Sequence, residues 1–239
     1  MPPYILRTDE GKYICNPDQI NIGLYPTVAH VFASGHYELL DYVSEDDVGV
    51  FNESGDAPIH IAATLGHDYA LDKLLELGSD VDAQNSYGRT ALMIAAGLGN
   101  AGIMDILMDH ADTEKKDINN RTALSYAITE ATTYEISMLL DDDCSLHSKD
   151  VNGQTPFHLA VLRGDLDIIS LILNSNNDRL ETNIERSGFV LEFDAKDIFG
   201  KTALEYASDQ VSEVILYYLS DEDSSSTISK LTGELTDFE

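Results

Sequence analysis

Tryptophan is missing from this 239-residue chain, and cysteine nearly so, with Cys15 and Cys144 alone. Two thiols cannot make a disulfide framework, so the expectation is buried or inert thiols in a reducing compartment. Basic residues are also scarce: 14 Lys and Arg stand against 43 Asp and Glu, for a formal net charge of −29. Phosphate backbones and anionic lipid surfaces are bound through Lys and Arg, so the balance argues against nucleic acid or membrane as the main partner. The same imbalance favours solubility and steers basic proteins toward the chain at low salt. No apolar run approaches the roughly 18 residues that a membrane-spanning helix requires. The N-terminus, Met1-Pro2-Pro3-Tyr4, lacks the basic and then apolar pattern of a secretory leader. A single adjacent basic pair, Lys115-Lys116, is too little for a nuclear localisation signal. The expected location is cytoplasmic, with the nucleus as an alternative.

The motifs of catalysis are missing too. The seven histidines form no HExxH or ligand cluster, and no phosphate-cradling glycine loop or GxSxG elbow occurs. Two acidic runs, Asp141-Asp142-Asp143 and Ser44-Glu45-Asp46-Asp47, lack the ligand spacing and loop glycine of an EF-hand. The chain is therefore expected to be no enzyme, with no cofactor and no metal.

What the chain has is a phrase repeated with variations. It reads Gly55-Asp56-Ala57-Pro58-Ile59-His60-Ile61-Ala62-Ala63, then Gly88-Arg89-Thr90-Ala91-Leu92-Met93-Ile94-Ala95-Ala96. It returns at Asn120-Arg121-Thr122-Ala123-Leu124, Gly153-Gln154-Thr155-Pro156-Phe157-His158 and Gly200-Lys201-Thr202-Ala203-Leu204. The steps from Ala57 through Thr90 and Thr122 to Thr155 are 33, 32 and 33 residues. Each phrase encodes a turn and then a helix. Gly, or Asn120, supplies positive φ; Thr caps the helix; Pro58 and Pro156 fill first-turn positions where a missing N–H costs nothing. Gly66, Gly99 and Gly164 fall where that helix must stop. Ala57 stands where Thr is expected and loses the cap, while Ala131 and Val211 replace the stopping glycine. A second helix follows with apolar residues at i, i+3 and i+4: Leu71, Leu74 and Leu75; Ile103, Ile106 and Leu107; Ile136, Leu139 and Leu140; Ile168, Leu171 and Ile172; Ile215, Tyr218 and Leu219. Helices this short cannot bury their stripe alone, so stacking must stabilise them.

Phrase, period and helix pattern together resemble the ankyrin-repeat family. An earlier degenerate unit, with Gly35-His36 mirroring Gly66-His67, brings the number to about six. The resemblance implies an all-α solenoid of stacked helix-turn-helix units with β-turn fingers. Residues 1–20 are then an N-terminal extension without clear periodicity, 21–219 the repeat domain and 220–239 an acidic flexible tail. The step from Thr155 to Thr202 is 47, so about 14 residues are inserted, near 174–193. They form either a longer loop or an extra binding finger.

In proteins resembling this one, the histidine of the phrase bonds within the turn network, which gives His60 and His158 structural roles. His30, His36, His67, His110 and His147 are scattered and expected to be exposed. Partner contacts in the family come from the concave side. They are carried by the two residues before the turn glycine, the residue after it, and the two before the helix stop. Carried over by position, the candidate contacts are Ser86, Tyr87, Arg89, Leu98, Ile118, Arg121, Asn152, Leu162, Arg163, Phe199 and Lys201. Leu65, Val151 and Ile198 occupy equivalent places, as would Asp209 and Gln210 in the sixth unit. Four of the 14 basic residues fall in this set, beside aromatic and apolar neighbours of the kinds enriched at binding hot spots.

The expected function is a non-enzymatic, monomeric scaffold or adaptor that binds a peptide or helix of a partner protein in the concave groove. One alternative is an acidic chaperone or inhibitor that masks a basic protein on its acidic face. Six repeats before an acidic tail loosely resemble the inhibitor-of-NF-κB class. Another is a bacterial effector secreted into host cells, with the host cytosol as its location.

Overall fold

The structure, a computed structural model, describes the backbone of residues 5–7, 13–15, 55–142, 144–181 and 193–221. Side chains are described within 55–142, 144–175 and 193–218. The degenerate first unit, with His30 and His36, the acidic run at 44–47 and Asp143 lie outside these residues.

The N-terminal extension contains a pair of short strands, β1 (Ile5–Arg7) and β2 (Tyr13–Cys15). They pair antiparallel, with Ile5 opposite Cys15, Leu6 opposite Ile14 and Arg7 opposite Tyr13. The sequence showed no period here because three-residue strands are too short to display one. Both strands nevertheless carry residues of high β-propensity, Ile5 in the first and Tyr13 and Ile14 in the second.

The chain divides into two compact units, 1–118, which includes this strand pair, and 119–239. The first holds α1 (Pro58–Leu65), α2 (Asp68–Glu76), α3 (Ala91–Leu98) and α4 (Ala101–Met108). Inner helix α1 packs on inner helix α3, and outer helix α2 on outer helix α4. Ala62, Ala63, Ala95 and Ala96 have no exposed surface; their small side chains let the inner helices lie close. Leu71, Leu74, Ile103, Met104 and Leu107 fill the space behind them. The apolar stripe is one residue off the expectation here: Ile106 is half-buried and Met104 takes the core place.

The second unit holds α5 (Ala123–Glu130), α6 (Thr133–Asp141), α7 (Pro156–Arg163), α8 (Leu166–Glu181), a 3₁₀ turn (Leu204–Tyr206) and α9 (Asp209–Asp221). α5 packs on α7, α6 on α8, α8 on α9, and α7 on the 3₁₀ turn. Phe157, Ile136, Leu139, Ile168, Ile172 and Ile215 are buried. Leu171 is half-buried, and Ile169 and Leu173 join the core instead.

Thr90 and Thr155 cap their helices as the phrase predicts, whereas Thr122, at the head of α5, makes no side-chain cap hydrogen bond. Thr90 Oγ1 accepts from the Met93 N–H at 3.3 Å, and Thr155 Oγ1 accepts from the His158 N–H at 3.4 Å. Ala57 has no side-chain cap, as its identity requires. Helix α5 ends without glycine because Ala131 is extended, and Thr132 at once caps α6. The Glu135 carboxylate closes that box, accepting from the Thr132 N–H at 3.1 Å and from the Thr132 hydroxyl. Those hydrogen bonds outweigh burial and hold Glu135 below its ordinary acidity range.

Two local expectations need correction. Thr202 opens no inner helix: the sixth unit makes only the single 3₁₀ turn, followed by extended Ala207. Asp209, Gln210 and Val211 therefore do not end an inner helix; they begin outer helix α9. The inserted residues near 174–193 are also not all loop, because α8 continues through Glu181. At the far end of the insertion, Phe193 sets its ring edge-on to Phe157, with centroids 5.4 Å apart. Residues 182–192, and the tail beyond Asp221, lie outside the described residues.

Candidate functional site

The candidate residues sit on the turns that precede the inner helices and on the ends of those helices. The turns at Gly88, Gly153 and Gly200 are each built around a side-chain acceptor that the repeated phrase does not include. Asn85 Oδ1 accepts from the backbone N–H groups of Tyr87 and Arg89, both at 3.0 Å. Asp150 Oδ1 accepts from Asn152 at 2.8 Å and Gln154 at 2.9 Å. Asp197 Oδ1 accepts from Phe199 and Lys201, both at 2.9 Å. A signal for these acceptors was present: Asn85, Asp150 and Asp197 each stand three residues before the positive-φ position, as Asp117 does before Asn120. A short acceptor side chain there folds the turn onto itself. At Asp197 a further donor, the Tyr206 hydroxyl, binds Oδ2 at 2.6 Å. Burial would raise the Asp197 pKa, but these donors prevail and lower it, while the same bond raises Tyr206.

The turns are then tied in rows. In the first unit the Ile118 N–H donates to the Tyr87 carbonyl at 3.2 Å. In the second, Val151 donates to Asn119 and Ile198 to Asn152, both at 2.9 Å. This close approach demands glycine: a Cβ on Gly88, where φ is +70°, would lie 2.8 Å from the Ile118 nitrogen. Asn120 alone among the described residues takes the positive-φ place without glycine, at 58°.

The histidines of the phrase lock the turns from beneath. His60 Nδ1 accepts from the Ala57 N–H at 3.0 Å, so its Nε2–H donates, shared between the Ala83 and Arg89 carbonyls at 3.0 Å each. His158 Nδ1 accepts from the Thr155 hydroxyl at 2.8 Å, and Nε2–H donates to the Lys201 carbonyl at 3.3 Å. Burial lowers both pKa values and keeps both rings neutral near pH 7. Of the scattered histidines, His110 is exposed, whereas His67 and His147 are half-buried.

On this frame stand side chains that an isolated fold has no reason to expose. In the first unit Tyr87 is 56% exposed and Ile118 63%, with Ser86 exposed between the turn acceptor and Tyr87. The Arg89 guanidinium lies 5.0 Å from the Tyr87 ring centroid, within cation–π range. Leu65 and Leu98 end α1 and α3 with about half of their surface open. In the second unit Val151, Ile198 and Phe199 are exposed on the turns, Phe199 at 72%. Asn152 and Arg121 are half-buried, and Lys201 is exposed with its ammonium 5.0 Å from the Tyr206 ring. Leu162 and Arg163 are exposed at the end of α7. Arg163 is partly committed to the fold, because Nη1 donates to the Ile128 carbonyl at 2.7 Å. Tyr87, Arg89 and Ile118 thus share one pair of tied turns, as do Asn152, Phe199 and Lys201.

Among the described residues no group of three His, Cys, Asp or Glu side chains is placed to hold a metal ion, and no helix is long and apolar enough to cross a membrane.

Repeated turn-and-helix units, tied turn to turn and capped by one phrase, define a class of protein before any comparison. A family model of ankyrin repeats (3 copies) matches residues 69–150 and 133–228. The chain belongs to the ankyrin-repeat family, an all-α repeat fold whose members are generally protein–protein interaction modules and typically non-enzymatic. Among curated relatives, ankyrin repeat and SAM domain-containing protein 6 of Mus musculus is 30% identical over 121 residues, covering 49% of this chain and 13% of that protein. The inactive serine/threonine-protein kinase TEX14 of Bos taurus is 35% identical over 91 residues, covering 38% of this chain and 6% of that protein. Putative ankyrin repeat protein L371 of Acanthamoeba polyphaga mimivirus is 23% identical over 182 residues, covering 71% of this chain and 22% of that protein. The matches span less than a quarter of each relative's length.

Proposed function

We propose that this chain is a non-catalytic scaffold or adaptor that binds a partner protein through its turn tips and inner-helix ends, the concave side of the family's repeats. The observation that carries the reading is the pairing of exposure with rigidity. Tyr87, Ile118, Val151, Ile198 and Phe199 are each more than half exposed, yet their backbone is fixed by the side-chain brackets and the turn-to-turn bonds. A preformed apolar surface loses little conformational entropy on docking, which suits it to recognising a peptide or helix. A cytoplasmic setting fits the same reading, since a chain with two cysteines among 239 residues carries no disulfide framework that would call for an oxidising compartment.

The test compares quantitative affinity purification by the native chain, by a Tyr87→Ala/Ile118→Ala variant and by an Ile198→Ala/Phe199→Ala variant. Specific partners are expected to be lost from at least one variant while far-UV circular dichroism is unchanged. Undiminished recovery by both variants contradicts the reading. A salt titration separates it from the masking of a basic protein by the acidic face: that mode weakens steeply with ionic strength, an apolar surface does not.

A further inference from the structure

The turn at Gly153 carries a reactive pair of residues that its own geometry helps to create. Gly153 takes a φ of +71°, and a Cβ there would lie 3.1 Å from the Ile198 nitrogen, so the close approach of the next turn demands glycine. The residue before it is an asparagine, and Asn152-Gly153 is the one Asn-Gly pair in the chain; no Asp-Gly pair occurs. The other glycine-led phrases put Ser54, Tyr87 and Phe199 in that place, none with a side-chain amide. Glycine is the most labile neighbour for an asparagine, because it has no side chain to shield its backbone nitrogen from the amide carbon.

The reaction is intramolecular. The Gly153 nitrogen gives up its proton and bonds to Asn152 Cγ. The Cγ–Nδ2 bond breaks, and Nδ2 leaves as ammonia with that proton. Water then opens the resulting cyclic imide at either carbonyl. The product at position 152 is aspartate or, where the backbone now runs through Cβ and Cγ, isoaspartate.

In the closed turn the groups this reaction needs are held elsewhere. The Gly153 N–H donates to the Asp150 carbonyl at 2.9 Å, which favours the protonated nitrogen. Asn152 Nδ2 donates to Asp150 Oδ2 at 3.4 Å, and the Asn152 backbone N–H to Oδ1 at 2.8 Å. Negative charge developing on the Gly153 nitrogen would grow beside that same carboxylate. The Asn152 carbonyl takes the Ile198 N–H at 2.9 Å, which fixes the other side of the peptide.

We infer that Asn152-Gly153 is a latent deamidation site, kept as the amide by the Asp150 bracket and the Ile198 tie while the turn is closed, and converted to aspartate or isoaspartate once it opens. Isoaspartate adds a further carbon to the backbone between Asp150 and Gly153. The turn then no longer closes in register, and the tie to Ile198 is released. Conversion is an irreversible record of how long this turn has stood open. It does not depend on the identity of any partner.

Lys149 and Arg163 bound a tryptic peptide whose single asparagine is Asn152, so mass spectrometry reads this site alone. The full-length chain is incubated at neutral pH, folded and in guanidinium chloride. Deamidation of the folded chain is expected to be at least about tenfold slower than in denaturant. Asp150→Ala is expected to raise the folded rate at least about threefold, whereas Asp150→Asn, which keeps an acceptor oxygen as Asn85 does at Gly88, stays slow. Circular dichroism confirms that the repeats stay folded, and fragment ions place the change at position 152. Equal rates in folded and denatured native chain overturn the inference. So does a folded Asp150→Ala chain no faster than the native one, or an Asp150→Asn rate as high as in denaturant. If Asp150→Ala unfolds, the native comparison and Asp150→Asn decide. After conversion and refolding, the Ile198 amide is expected to exchange faster than in the native chain; unchanged protection overturns the release of the turn.

Discussion

The third and sixth repeats begin with nearly the same words and end differently. Gly88-Arg89-Thr90-Ala91-Leu92 leads into the eight-residue helix α3, whereas Gly200-Lys201-Thr202-Ala203-Leu204 leads into a single 3₁₀ turn. Up to the leucine the two turns are alike: Asn85 and Asp197 bracket the same pair of N–H groups. The divergence lies in the residues beyond that leucine. In the third repeat Ala95 and Ala96 are small enough to vanish into the core, and Gly99 stops the helix in the left-handed region. In the sixth, Tyr206 bonds back to Asp197, the Glu205 carboxylate takes the Thr202 N–H at 2.6 Å, and Ser208 Oγ accepts from Val211 at 3.4 Å to open α9. The phrase specifies the turn; small residues and a stop specify the helix.

The largest test of that contrast is in the core. Leu92 is buried and Leu204 only half-buried. Leu92→Ala is expected to cost about 2–5 kcal/mol in urea unfolding, and Leu204→Ala clearly less. Equal costs would mean that the sixth repeat is packed as tightly as the third. A smaller effect concerns the caps. Thr90→Ala removes the acceptor for Met93 and is expected to cost about 1 kcal/mol. Thr202→Ala removes no such cap and should cost a few tenths at most, as read from the same unfolding curves. The subtlest difference appears with pH. The second repeat has His60 where the third has Met93 and the sixth Glu205. The folded-state pKa of His60 lies below its ordinary 6.5, because burial disfavours the charged ring. As pH falls below about 6.5, the unfolded chain takes up a proton that the folded chain refuses, so stability drops toward the lower folded-state pKa. The melting temperature of the native chain should therefore fall more between pH 7.5 and 5.5 than that of His60→Gln. Parallel curves would show that His60 titrates alike in both states.

Much of this was legible in the residues. Period, positive-φ glycines, threonine caps and alanine pairs each report a backbone requirement that few other residues meet, so the stacked repeats could be read off directly. The outer stripe was less secure: Met104 rather than Ile106 reaches the core, because i+3 and i+4 choices on so short a helix depend on the neighbouring layer. Thr202-Ala203-Leu204 fits the phrase and so predicts a sixth inner helix, but its fate is decided by the contact of Tyr206 with Asp197, which is not local to the cap. The helical continuation of α8 to Glu181 carries no apolar period past Leu173 and left no mark in the pattern. The candidate surface was legible as positions but not as structure. Only the coordinates show Arg163 partly spent on Ile128, and Val151 and Ile198 as exposed as the residues chosen beside them.

Binding through this surface requires turns held rigid while their side chains face solvent. Residue-resolved amide hydrogen exchange measures this at Ile118, Val151 and Ile198, whose N–H groups tie one turn to the next. Exchange slowed by at least about a hundredfold relative to an unstructured peptide is expected at all three. Exchange at the unstructured rate would show that the turns open freely, and a preformed binding surface would then not exist.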